Sequence, residues 1–254
     1  MPKVSIITVC RNAAETIEKT IKSIESQNYP DIEHIIIDGE STDGTQAIVK
    51  KLFNKRIACF VSEKDNGIYD AMNKGLDKST GEVIGFLNAD DFLYDESAIS
   101  RVIGCFQENL CDIVHGDLVY LDRKSNKKRR YWKSSPYAKG KFNLGWMPAH
   151  PTFYVKKQIY DAYGKFRLDL KIAADYEIMF RFLEKNMVKS SYLNATLVAM
   201  HTGGVSGKNL KNIVRANIES YKSWELNGIS PPNLFGFLFK PLLKVGQFFR
   251  AYFQ

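Results

Sequence analysis

Cysteine is scarce in this chain of 254 residues: Cys10, Cys59, Cys105 and Cys111 form no CxxC pair. They read as buried free thiols in a reducing compartment, and so low a content excludes a small disulfide scaffold. No run of eighteen apolar residues occurs, so nothing is expected to span a bilayer. The opening MPKVSIITVCRN lacks the apolar length and small-residue cleavage site of a signal peptide, and none is expected. Glycine-rich phosphate loops are missing too. Cys10-Arg11-Asn12-Ala13-Ala14 stands where a dinucleotide fold would carry G-x-G-x-x-G, and Gly203 to Asn209 has the wrong glycine spacing for a P-loop. No repeat appears at any period, which excludes solenoids.

What is present is a globular composition, 44% apolar, 13% aromatic and 25% charged, enough for a large core and incompatible with disorder. The formal charge is +8, but it is uneven. Residues 123–141 hold nine Lys/Arg and no acid, and residues 203–254 are net +5, so the remainder is −6. An acidic body with two basic appendages argues against a nucleic-acid-binding surface.

The first half alternates strand and helix patterns, the signature of a mostly parallel sheet with helices on both faces. Val4 to Val9 is a β-branched run, and Ile17, Ile21 and Ile24 line one face of a helix within Ala14 to Gln27. His34 to Ile37 is a second strand. Asp43 and Gln46 stand at capping-box spacing for the next helix. Ile57 to Val61 is a third strand, Ile68 to Lys78 a helix and Val83 to Leu87 a fourth strand. Beyond a helix near Ser97 to Gln107, a strand from Ile113 to Leu121 runs into the basic stretch, which reads as a loop. Trp146 to Val155 is expected to be extended, Ala173 to Glu184 helical, Val188 to Leu193 and Thr196 to His201 a strand pair, and Asn209 to Leu226 a helix.

Polar residues gather where successive strands end: Asp38 after the second, Glu63 and Asp65 after the third, and Asn88-Ala89-Asp90-Asp91 after the fourth. Ligands of open α/β sheets bind at that edge. Adjacent carboxylates repel unless a cation neutralises them, and oxygen ligands suit Mg or Mn. The same spacing also allows Asp91 or Asp95 simply to cap the following helix.

These residues carry a resemblance. VSIITVCRN, IIIDGESTDGT and SEKDNGIYDAMNKGLDKSTGEVIGFLNADD, in that order over residues 3–95, are similar to the family 2 glycosyltransferases, inverting nucleotide-sugar transferases of the GT-A fold. HPTFYV, AADYEIMFR and MHTGGVS extend the match to about residue 206. The resemblance implies an α/β GT-A domain over residues 1–206, with a donor half (1–95) and an acceptor half (96–206), followed by C-terminal helices over 207–254. It places Thr8 and Arg11 after the first strand beside the nucleotide, Asp38 at its base or ribose, and Asp70, Asn73 and Lys74 at the sugar-nucleotide pocket. Many members have an acid where Asn88 stands, which concentrates a divalent metal (Mn or Mg) on Asp90, with Asp91 supporting. His201, at a strand end before Thr202-Gly203-Gly204, reads either as a ligand of the metal or contact of the diphosphate, or as a plain strand-end histidine. Asp175, in Ala173-Ala174-Asp175-Tyr176-Glu177, matches the position of the family's base, with a helix N-cap as the alternative. His150 falls in a stretch that the resemblance puts near the acceptor.

From Leu234 to Gln254 a narrow stripe of Gly236, Lys240, Lys244, Gln247, Arg250 and Gln254 runs through Phe, Leu, Val and Tyr. Such an amphipathic tail suits the surface of an anionic membrane, or packing on the core or on a second copy. The function expected is metal-dependent transfer of a sugar from a nucleoside-diphosphate sugar, UDP favoured over GDP, to a lipid-linked or growing glycan. The expected address is the cytoplasmic face of a bacterial plasma membrane. Sugar nucleotidyl transfer is the alternative chemistry, separable because it releases pyrophosphate.

Overall fold

A computed structural model of the chain describes residues 1–202 and 210–231. The element order is β1 (Val4–Cys10), α1 (Ile17–Glu25), β2 (Ile32–Asp38), α2 (Thr45–Lys51), β3 (Ile57–Ser62), α3 (Ile68–Lys78), β4 (Val83–Phe86), β5 (Asp91–Leu93), α4 (Ala98–Asn109) and β6 (Ile113–Leu121). Then follow β7 (Lys128–Trp132), β8 (Tyr154–Lys156), α5 (Lys157–Tyr163), α6 (Ala174–Phe180), β9 (Ser190–His201) and α7 (Leu210–Leu226).

One sheet runs in the order β3-β2-β1-β4-β8-β6-β9-β5, with β7 added to β6. β1 and β2 are buried at every position, which is why they read as unbroken apolar runs: a strand covered on both faces has no solvent side to alternate with. On one face α1, α2 and α4 pack through Ile17, Ile21, Val49, Val102 and Phe106. On the other, Tyr69, Met72 and Leu76 of α3 meet Ile7, Val9, Ile35 and Ile37, joined there by Tyr176, Phe180 and Trp224. Gly75 sets the closeness of α3: a side chain at that position would run into Ile7.

The sheet is mixed, which corrects the expectation of a mostly parallel one. β3, β2, β1 and β4 are parallel. β8, however, runs antiparallel to both β4 and β6, β5 antiparallel to β9, and β7 antiparallel to β6. The β6–β7 connection is too short for a crossover, so it makes a hairpin. Five residues of the supposed basic loop, Lys128–Trp132, are thereby strand. The expected strand pair after Val188 is the single strand β9, whose register against β6 shifts on either side of Asp117 and absorbs the polar break at Asn194. Trp146 to Val155 is interrupted by a 3-10 turn at His150–Thr152, and the helix beginning at Ala174 passes into a π-turn over Arg181–Lys185. The amphipathic tail (Leu234–Gln254) and Gly203–Asn209 lie outside the described residues. No helix among the described residues is long and apolar enough to cross a membrane.

Candidate active site

Register brings the polar strand ends together. Cys10 pairs with Asp38 and Asp38 with Ser62, so β1, β2 and β3 finish level. β6 and β9 end at the same edge, Leu121 opposite His201, and Asp91 is paired with Met200, which carries Asp90 toward His201.

The Asn88–Asp91 turn is braced from beneath. Thr20 of α1 donates to the carbonyls of Ala89 (3.0 Å) and Asp91 (2.7 Å), and Asn88 Nδ2 donates to Asp91 Oδ2 at 3.2 Å. Asp91 is buried, and burial followed by the charge of Asp90 pushes its carboxyl well above the usual carboxylate range. Asp90 is half-buried, and its carboxylate makes no hydrogen bond or ion pair among the described residues. Asn88 Oδ1, Asp91 Oδ1 and His201 Nδ1 are buried without a partner. Unpaired buried acceptors are rare because each forfeits its hydration, and a cation beside them would remove that cost. No three His, Cys, Asp or Glu side chains form a closed metal cage among the described residues. Asp90 and the unpartnered oxygens of Asn88 and Asp91 would suit an open divalent site of one or two protein ligands completed by phosphate and water.

Lys19 is a residue that the sequence did not flag. Its ammonium lies over the Phe92 ring at 3.5 Å and 3.5 Å from His201 Nε2, while burial lowers its pKa. On α1 it reads as an ordinary surface lysine, and only the fold brings it to His201. Burial, then Lys19 and Arg123, lower the His201 pKa against the pull of Asp90.

The donor-side residues behave differently from one another. Thr8 lies inside β1 rather than after it, fully buried, with its hydroxyl 2.8 Å from His34 Nε2. Asp38 is fully buried and its oxygens accept from the Ser41 hydroxyl and amide, Ser62 Oγ (2.6 Å) and Cys10 Sγ (3.5 Å). This carboxylate organises the turn after β2. Arg11 is exposed, its Cδ beside Gly39, where a side chain would collide with the Asp65 carboxylate. The Asn73 amide is engaged at both ends, donating to Phe166 O (2.9 Å) and accepting from Phe166 N (3.0 Å). Asp70 accepts from Asn66 N at 2.9 Å, and Lys74 binds Lys64 O (2.9 Å) and Glu63 (2.8 Å). These three fasten α3 to its neighbouring loops.

Asp175 stands in the first turn of α6, half-buried, one residue inside the helix, and the N-cap is Ala173. A carboxylate in a first turn is favoured by the helix dipole. Its Oδ1 accepts from Tyr176 N (2.9 Å) and lies 3.2 Å from the Tyr69 hydroxyl, which also donates to Ile172 O at 2.7 Å. Oδ2 makes no hydrogen bond among the described residues. Tyr69 opens α3 just beyond the end of β3, so its contact places Asp175 at the same sheet edge as the acids. Burial and then Asp175 push the Tyr69 phenol up, which keeps it a donor. His150 is buried against Phe86, with ring centroids 5.5 Å apart; burial lowers its pKa and nearby Asp175 raises it. Glu177 is buried and committed to Arg181 (2.8 Å) and Asn227 (3.0 Å), which leaves Asp175 as the carboxylate of this helix with an available oxygen.

Solved structures share this architecture. The S. aureus protein TarS, residues 1–349 in complex with UDP-GlcNAc, aligns with a TM-score of 0.70 at 18% identity, over 89% of this chain and 65% of that one. The mannosyltransferase PcManGT from Pyrobaculum calidifontis, in complex with GDP-Man and Mn2+, aligns with a TM-score of 0.64 at 19% identity, over 95% of this chain and 68% of that one. The fold is that of the GT-A-like glycosyltransferases. The model of Glycosyl transferase family 2 matches residues 5–173, and the chain belongs to that family. Among relatives, the PGL/p-HBAD biosynthesis glycosyltransferase of Mycobacterium bovis (strain BCG / Pasteur 1173P2) is 28% identical over 81% of this chain and 79% of its own. The Escherichia coli UDP-Glc:alpha-D-GlcNAc-diphosphoundecaprenol beta-1,3-glucosyltransferase WfaP is 28% identical over 85% of this chain and 84% of its own.

Proposed function

We propose that this glycosyltransferase moves one sugar, with inversion, from a nucleoside-diphosphate sugar to a hydroxyl of a lipid-linked or growing glycan, with Asp175 as the base. The observation that carries the reading is the Asp175 carboxylate, anchored through Oδ1 and unengaged at Oδ2, at the edge that also bears Asp90. As the acceptor oxygen bonds to the anomeric carbon, the bond from that carbon to the diphosphate oxygen breaks. The acceptor proton passes to Asp175 Oδ2 and the nucleoside diphosphate departs. A positioned base of this kind contributes about 10²- to 10⁴-fold. Asp90, with Asp91 and His201 near it, would hold a divalent ion, Mn or Mg, which compensates the charge of the leaving diphosphate. Lys19 adds a further positive charge there.

The name of WfaP supports a diphosphate-lipid acceptor, and the UDP-GlcNAc and GDP-Man complexes support a nucleotide-sugar donor, UDP ahead of GDP. A lipid-linked acceptor would place the enzyme on the inner face of the plasma membrane, with the tail contributing. The test is donor turnover with UDP-Glc, UDP-GlcNAc and GDP-Man, wild type against Asp175→Asn and Asp90→Ala. Loss in both variants, with nucleoside diphosphate and not pyrophosphate as product, is expected. Full activity of Asp175→Asn would remove its role.

A further inference from the structure

Among the described residues, the β6–β7 hairpin is a strongly basic surface that this reaction leaves unused. β6 ends at Leu121, opposite His201, and Thr202 N donates to Leu121 O at 2.9 Å, so the hairpin rises from the rim of the candidate active site. The turn is built rather than slack. Asp122 Oδ1 accepts from Lys124 N (3.1 Å), Ser125 N (2.9 Å) and Ser125 Oγ (2.9 Å), and Oδ2 takes the Arg129 guanidinium at 2.9 Å. That engages the one acid between Leu118 and Tyr160. Arg123, Lys124, Lys127, Lys128 and Lys133 all stand exposed.

The aromatic residues of the same stretch do not reach outward. Trp132 and Tyr120 pack against the core, with Arg130 over both rings at 5.2 Å and 4.9 Å. Tyr131 donates to buried Asp117 at 2.7 Å, and Asp117 also accepts from Ser134 N (2.7 Å) and the Tyr192 hydroxyl (2.9 Å). A buried carboxylate with three donors ties β7 to β6 and β9, and the hairpin is held stiffly with its charge outward. Those cations lie along the turn and on the β7 arm that follows it, and none stands on β6. Exposed cations strung along a turn and a strand match a sheet of negative charge, where each basic side chain adds a similar increment.

We infer that the β6–β7 hairpin docks the enzyme on an anionic lipid surface and so sets the catalytic edge against an acceptor held in the bilayer. The inference rests on the proposed lipid-linked acceptor. Its contribution is electrostatic and falls with salt.

The experiment is co-sedimentation of the full chain with phosphatidylcholine vesicles with and without phosphatidylglycerol, wild type against the triple variant Lys124→Ser, Lys127→Ser, Lys128→Ser. Transfer to a water-soluble acceptor is measured in parallel. The wild type is expected to prefer the anionic vesicles, and the variant to bind them at least about tenfold more weakly. High salt should narrow that difference, and transfer to the soluble acceptor should be unchanged. Equal binding by the two proteins overturns the inference, as does a wild type that binds duplex DNA while ignoring the anionic vesicles. Weakened vesicle binding in the variant with no transfer by either protein would leave the docking surface standing and sink the proposed reaction.

Discussion

Glu219 and Ile172 are joined by a 2.8 Å hydrogen bond, the shortest of three that one Glu219 oxygen accepts from the consecutive amides of Lys171, Ile172 and Ala173. Those amides open the turn into α6, and Asp175 follows two residues later. The carboxylate thus fixes from α7 the start of the helix that carries the candidate base, while Trp224 Nε1 donates to the Tyr176 hydroxyl (3.0 Å) and Asn227 reaches Glu177 (3.0 Å). Replacing Glu219 by Ala leaves backbone donors without their charged acceptor, a loss of about 3 kcal/mol. Urea unfolding should show that loss, and kcat should fall while the donor KM holds. A variant of unchanged stability would mean that other groups take up these amides.

Tyr69 acts on the same carboxylate from the donor half. Its ring stacks on Phe166 with centroids 5.7 Å apart, a contact that Phe keeps, so Tyr69→Phe removes only the hydroxyl. Oδ1 of Asp175 then loses a partner at 3.2 Å and the carboxylate can rotate. We expect kcat to fall by about tenfold, equivalent to about 1.4 kcal/mol, with donor KM little changed. A rise in KM alone would make Tyr69 a binding residue.

Much of the fold was legible because the strands that matter are buried on both faces and read as apolar runs that end abruptly in Asp, Gly or Asn. The same burial hid the pocket side. With Thr8 and Val9 both enclosed, the strand period cannot say which side chain faces a ligand. Asp90 and Asp175 were legible as acids at element ends. The use of Asn73 was not, because its partner Phe166 lies 93 residues away, and Lys19 meets a histidine 182 residues distant. Sequence spacing within a helix carries no trace of such contacts.

Asn73 therefore gives a discriminating test. With both ends of its amide spent on Phe166, Asn73→Leu should cost about 2 kcal/mol in stability, from two lost hydrogen bonds and the unpaired backbone groups. UDP binding, followed by calorimetry, should stay within about twofold. Unchanged stability with weakened donor binding would restore a direct contact with the sugar nucleotide.

Divalent metal should be required and should report on Asp90. Chelation by EDTA is expected to abolish transfer, and Mn to restore it. Mn in the presence of UDP should also raise the melting temperature, since a ligand of the native state alone stabilises it. Asp90→Asn should lose most of that rise, whereas Glu63→Gln, whose partner is Lys74 at 2.8 Å, should keep it. An equal rise in Asp90→Asn would move the metal elsewhere.

Acid sensitivity follows from two histidines locked away from water. Burial brings His34 to about 3, and burial together with the charge of Lys141 brings His115 to about 3. Both are fully enclosed, against Thr8 Oγ1 at 2.8 Å and Ser134 Oγ at 3.2 Å. The unfolded chain takes up protons on these side chains near pH 6.5, but the native state does not until about pH 3. Between those values the unfolded state holds more protons, so stability rises with pH there. The neutral rings contribute fully above pH 6.5, and the contribution is lost as pH falls toward 3. At pH 5 the loss is about 2 kcal/mol per histidine. His34→Gln keeps a hydrogen-bonding group for the Thr8 hydroxyl, which lies 2.8 Å from His34 Nε2, and removes one titration. Its unfolding free energy should fall about half as steeply between pH 7 and pH 5 as that contributed by the two histidines together. Parallel pH profiles for the variant and the wild type would show that His34 is protonated in the native state and that its environment is wetter than the strand packing implies.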